Sequence, residues 1–155
     1  NFLGNCNDLR AVQRIVELIT SEDLSSAASA LCAVKYSTWQ DKDKTEASKM
    51  IDPALLKAVK NVSCPANRRC VMADTIIDVP TRVRAYESIL LGPSADKYKT
   101  IEDCQIHAAD CLGSLGPDAV SAVPALRKIL DNKDTAEKVC VRVEMALDRI
   151  QPEAD

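Results

Sequence analysis

His107 is the only histidine in the chain, and a helix through it would carry Cys104, His107 and Cys111 at i, i+3 and i+7. That spacing sets an imidazole and two thiols along one side of a helix, a donor set that Zn²⁺ accepts. A fourth ligand would have to come from elsewhere, with Cys140 or Asp110 nearest in register. No paired Cys-x-x-Cys accompanies them, and Cys111 falls on an apolar stripe, so the cysteines are read as packing or disulfide residues with no metal and no cofactor. His107, Asp110 and Ser114 share the opposite face and invite a hydrolase reading. Residues one and two turns apart on one rigid helix project in parallel, however, so the imidazole cannot converge on the hydroxyl. A solvated polar face accounts for all three. No phosphate loop, His-Glu-x-x-His pair or nucleotide fingerprint occurs, and the chain is read as non-catalytic.

Seven cysteines stand at 6, 32, 64, 70, 104, 111 and 140. Cys104 and Cys111 would be about 10.5 Å apart along one helix, too far for a bridge. Cys64 and Cys70 flank a turn-like Pro65–Arg69 and could close it; Cys6 could reach Cys32; Cys104 and Cys140 both sit near the start of a second helix in adjacent units. An odd count leaves at least one thiol, assigned to Cys111, and a fully reduced core is the other reading. So many cysteines lean toward an oxidising compartment, secreted or periplasmic. The glycosylation triplet Asn61-Val62-Ser63 agrees with secretion. The chain opens on Asn1 without a Met or a signal-like apolar segment, which reads as cleavage or trimming.

Of 155 residues, 46% are apolar and 28% charged, the balance of a globular chain rather than a disordered one. Arg14, Glu17, Lys57 and Lys60 interrupt every apolar run, so no membrane span is expected. A net charge of -3 supplies no concentrated excess of Lys and Arg, which argues against nucleic acid as a partner. Aromatics are 3% of residues, leaving a core of Leu, Ile, Val, Ala and Cys, side chains suited to close helix-on-helix packing.

The elements that position these residues repeat. Displaced by 35, Ile106, Ala108, Cys111, Leu112, Leu115, Pro117 and Ala119 fall on Val141, Val143, Ala146, Leu147, Ile150, Pro152 and Ala154. Displaced by 71, "PALLKAVKN" from Pro53 falls on "PALRKILDN" from Pro124. Sets such as 143, 146, 147 and 150 have the spacing of one buried helical stripe. The spacing predicts helical hairpins at 53–61 with 69–79, 81–91 with 101–115, and 118–131 with 136–151. Leu9, Val12, Val16 and Ile19, then Leu24, Ala27, Ala28 and Leu31, mark a more divergent capping hairpin within residues 1–38. Residues 39–52 read as a polar insertion with a short helix over Thr45–Met50, followed by a helix start at Asp52-Pro53. Thr100 with Asp103, and Asp134 with Glu137, resemble capping boxes, and Gly116-Pro117 closes one helix and opens the next.

No segment alternates with period two, so the expected fold class is all-α, one domain over 1–155. A paired-helix unit of this length cannot bury its stripe alone, and stacking makes a right-handed α-α superhelix of about four hairpins. "IHAADCLGSLGPDAVSAVPALRKILDN" from Ile106, followed by "VRVEMALDRIQPEA", resembles the HEAT or armadillo-like repeat family. The landmarks of tetratricopeptide and ankyrin repeats are missing.

Stacks of this kind bind extended partners along one set of parallel helices. By register, the outward positions of the second helices are Met72, Asp74, Thr75 and Asp78, then His107, Asp110 and Ser114, then Arg142, Met145 and Arg149. This strip runs from acidic to basic, which favours a protein or peptide partner of complementary charge. Two alternatives stay open: a carrier of an apolar small molecule with Trp39 near its mouth, and a metal protein or enzyme centred on His107. Asn67-Arg68-Arg69 reads as a solvated basic turn.

Overall fold

A computed structural model describes residues 9–20, 26, 41–61, 64–92 and 100–151. Every regular element among them is helical, so the chain is all-α over the described residues. The elements are α1 (Leu9–Thr20), α2 (Asp41–Lys60), α3 (Ala66–Thr75), α4 (Val79–Leu91), α5 (Thr100–Leu115), a 3₁₀ segment (Gly116–Ala122), α6 (Val123–Asp131) and α7 (Glu137–Ile150). None is long and apolar enough to cross a membrane. Neighbours in the chain pack on one another, and α3 and α7 both also pack on α5. Ala108 on α5 and Val143 on α7, equivalent by the 35-residue displacement, are both fully buried.

Helix α2 corrects the expected boundary at Asp52-Pro53. No fresh helix starts there: one helix runs from Asp41 to Lys60 with Pro53 inside it, in place of a short helix over Thr45–Met50 and a second from Pro53. Ala47, Ile51 and Leu55 are each fully buried, one stripe at i, i+4, i+8 that continues across the proline. Burying that stripe against α1, which itself buries Val12, Ile15 and Ile19, outweighs the helix hydrogen bond that Pro53 forgoes. Asp52 therefore caps nothing in its own helix. Its carboxylate is 2% exposed and accepts from the backbone N–H of Ile77 (3.1 Å) and Asp78 (2.8 Å) and from the Ser48 hydroxyl (2.6 Å). A residue expected to start a helix instead ties α2 to the turn between α3 and α4.

Arg69 is the second correction. It is 3% exposed rather than part of a solvated turn. Its guanidinium donates to the carbonyl oxygens of Val59 (2.6 Å) and Ser88 (2.9 Å), so one side chain closes the C-terminal ends of α2 and α4. Orphan carbonyls at a helix end carry partial negative charge, and a cation satisfies both the hydrogen bonds and the dipole.

At the other end, Gly116 has φ of 58°, the left-handed conformation that closes α5, and glycine holds it without strain. Pro117 then opens a 3₁₀ segment, and regular helix resumes only at Val123. The expected Asp134–Glu137 capping box does not form. Ala136 occupies the N-cap of α7 without a side-chain bond, while Asn132 accepts from the Asp134 N–H and Thr135 donates to the Ile129 carbonyl. The competing local turn uses up the polar groups that a capping box would need. Leu24, Ala27, Ala28 and Leu31 of the capping hairpin, Trp39, and the Cys6–Cys32 pair lie outside the described residues.

Candidate functional site

Helices α3 and α5 meet along a seam of polar and sulfur-bearing side chains, with α4 closing its inner side. Asp74 stands in the last turn of α3 and His107 in the middle of α5. Nε2 of His107 lies 2.8 Å and 3.0 Å from the two carboxylate oxygens of Asp74. One turn further along α5, the Cys111 sulfur is 3.6 Å from the same nitrogen. Tyr86 of α4 reaches the group from below: its hydroxyl donates to Asp74 Oδ1 at 2.8 Å, and its ring meets the imidazole edge-on at 6.4 Å between centroids. Tyr86 is 3% exposed, whereas about 40% of the Asp74 and His107 side chains reaches solvent (41% and 42%). The trio is open on one side and braced on the other.

Electrostatics follow that placement. Burial, then hydrogen bonds to Cys111 and Asp74, push the Tyr86 phenol well above its ordinary value, so it stays a donor at any ordinary pH. Burial also pushes the Cys111 thiol up, with the Tyr86 hydrogen bond acting against it.

The cysteines sort differently from the sequence expectation. Cys104 is not among the donor atoms gathered around His107 Nε2; its thiol is a hydrogen-bond neighbour of the Cys70 thiol across the same α3–α5 seam, and each is 7% exposed. That bond and burial raise Cys70, and the bond lowers Cys104. Cys64, Cys70, Cys104, Cys111 and Cys140 are all free thiols, so neither the Cys64–Cys70 nor the Cys104–Cys140 bridge is present. The 35-residue displacement puts Cys104 on Val139, one position short of Cys140, and Cys104 lies toward Cys70 of α3 instead.

The rest of the outward strip is divided between roles. Asp78 is the N-cap of α4 and accepts from the Thr81 N–H at 2.9 Å, and the Thr81 hydrogen bonds hold its carboxyl below the ordinary range. Met72 is fully buried rather than outward, and Thr75 donates to its carbonyl. Asp110 meets Arg142 of α7 at 3.5 Å. Ser114 donates to the Asp110 carbonyl at 2.8 Å, pointed back along its own helix rather than toward His107. Met145 is 39% exposed between Arg142 and Arg149 on α7, and Val141 beside it is 47% exposed.

Sequence reasoning missed Tyr86 and gave Arg69 and Asp52 other roles, a solvated turn and a helix start. A signal existed for two of them. Arg69 occupies a stripe position among Ala66, Cys70 and Ala73, and Tyr86 one among Val83, Ile89 and Leu90. A polar group on a buried stripe must find a partner. Two shallow depressions lie away from this seam, one of about 420 Å³ between Leu90, Gln105, Lys128 and Asn132, the other lined by Lys60, Arg84, Glu87 and Ser88. Both are open to solvent with charged residues in their walls, beside Leu90, Leu91 and Ile129 in the first, and neither is the enclosed cavity that a small-molecule carrier needs. Comparison of this chain with protein families, with curated proteins and with solved structures finds no match.

Proposed function

We propose that the chain is a helical-repeat scaffold, a HEAT-like stack of hairpins, whose second helices form a docking face for a protein or peptide. The observation that carries the reading is the outward surface of α7, where Arg142, Met145 and Arg149 stand at i, i+3, i+7 with Val141 alongside. Two arginines around an exposed methionine suit a short segment with acidic residues on either side of an apolar one. Met adapts its shape to the apolar residue, and Arg supplies forked donors to the carboxylates. Arg142 already has a carboxylate at 3.5 Å in Asp110, but that pair is long and half-exposed, so exchanging it for a partner's carboxylate costs little. Burial of the equivalent Ala108 and Val143 supports stacked layers, which is what would align this face with the rest of the strip.

Selection from a random peptide library displayed on phage tests the reading. Peptides enriched in Asp or Glu around Leu or Met are expected against the native chain, and their synthetic copies should bind about tenfold or more weakly to Met145→Glu and Arg149→Glu variants. Peptides without that pattern, or equal binding to all three proteins, would remove the reading.

A further inference from the structure

We infer that Asp74, His107 and Cys111 are three protein ligands of a thiophilic divalent transition-metal ion of the Zn²⁺ class, with the fourth position open to water. Their donor atoms all lie within 4.8 Å of one another. Ligands held at about 2.0–2.3 Å around a tetrahedral ion are themselves separated by a little over 3 Å. His107 Nε2 stands 2.8 and 3.0 Å from the two Asp74 oxygens and 3.6 Å from the Cys111 sulfur, so on these two sides the spacing is within a few tenths of an ångström of what the ion requires. One imidazole, one thiolate and one carboxylate exclude Mg²⁺ and Ca²⁺, which require oxygen donors, and match Zn²⁺ and its neighbours.

Two features of the seam distinguish this trio from an ordinary ion pair. Tyr86, buried and donating to Asp74 Oδ1, fixes the carboxylate in the manner of an outer-shell partner, with both of its oxygens within 3.0 Å of the imidazole nitrogen. The equivalent positions one layer on carry Arg142 and Ala146 in place of His107 and Cys111. An ion pair between layers is made there by Arg142 and Asp110 without any thiol, so the stack itself does not call for histidine and cysteine at this level. Binding forms a metal–sulfur bond and releases the Cys111 thiol proton to solvent; the imidazole binds neutral and the carboxylate as the anion. Because Asp74 belongs to α3 and the other two ligands to α5, the ion would clip two layers together. The inference does not rest on the peptide-binding reading, whose residues lie on α7.

Cobalt supplies the test, since a Co²⁺–thiolate bond gives a charge-transfer band in the near ultraviolet and tetrahedral geometry gives strong visible bands. Titrating the reduced full-length chain with Co²⁺ is expected to saturate at one ion per chain, with the bands bleached by Zn²⁺. Cys111→Ser should lose the charge-transfer band. Asp74→Asn and His107→Gln should bind about tenfold or more weakly, and Tyr86→Phe about tenfold more weakly. Cys104→Ser should titrate as the native chain does, because its thiol belongs to the Cys70 pair. Absent bands in the native chain, or bands that survive Cys111→Ser and vanish in Cys104→Ser, would overturn the inference. Alkylation of the native chain by iodoacetamide with and without Zn²⁺ gives the same answer without a variant: Cys111 alone should be protected, and equal protection of Cys104 and Cys140 would count against the site.

Discussion

The two seams that α5 makes, with α3 on one side and α7 on the other, are both helix-on-helix contacts and differ in chemistry. Toward α7 the contact is close and mostly carbon. A Cβ added at Gly113 would stand 3.0 Å from the Ala146 Cα, so the missing side chain is what lets the two backbones approach. Its polar contacts sit at the rim, Lys138 with Glu102 at 2.6 Å and Arg142 with Asp110 at 3.5 Å, all largely exposed. Toward α3 the seam holds two cysteines in contact, a histidine on a carboxylate, and a tyrosine beneath. On that side α3 and the turn after it are tied to α2 and α4 by the buried Arg69 and Asp52, each bonded to backbone groups of other elements. The difference teaches that one helix can be held by small side chains in close contact on one side and by polar and sulfur-bearing side chains on the other.

Breaking the two sides separately should expose the contrast. Arg69→Met leaves the Val59 and Ser88 carbonyls without their donor and should lower unfolding free energy by about 3 kcal/mol in urea titrations. Amide exchange in that variant should quicken over α2 to α4 before α7. The opposite seam is opened by Gly113→Val, whose branched side chain must push α7 away from α5. Overpacking of this kind costs about 2 kcal/mol, and the loss of exchange protection should now centre on α5 and α7.

Asp78 offers a pH-dependent probe of the α3 side. Its folded carboxyl lies below its ordinary value because of the Thr81 hydrogen bonds. The cap therefore contributes fully above the unfolded value near 3.9, and the contribution disappears as pH falls through the lower folded value. Asp78→Ala should cost about 1 kcal/mol at neutral pH. Asp78→Asn should cost less there and flatten the acid limb of the stability curve, as thermal melts at a series of pH values would register. The smallest effect is expected at the rim: a double-mutant cycle on Asp110 and Arg142 should give a coupling of about 0.5 kcal/mol or less, fading with added salt.

Legibility in the sequence was uneven for local reasons. The buried sets on α5 and α7 follow a 3.6-residue period that any reader can count, and those two helices fall within a residue of where it puts them, whereas the helix expected at 69–79 runs from Ala66 to Thr75. Pro53 was misleading because the same dipeptide signal marks a helix start or an interior kink, and only the stripe through Ala47, Ile51 and Leu55 decides between them. His107 and Cys111 were legible as neighbours on one helix. Their third partner was not, since Asp74 lies on another helix and Cys104, the apparent candidate by spacing, points into the Cys70 contact instead.

By itself the sequence determined that the described residues are helical and which faces of α5 and α7 are apolar, because helix periodicity and burial are written in local spacing. Tertiary structure alone decided which polar groups meet across the seams: Asp74 with His107 and Tyr86, Arg69 with two helix ends, Asp52 with a distant turn. Those meetings depend on how far each helix is rotated and how closely it docks. Such quantities are fixed by the combined volumes of side chains on both partners, as at Gly113 and Ala146, and no single segment contains them.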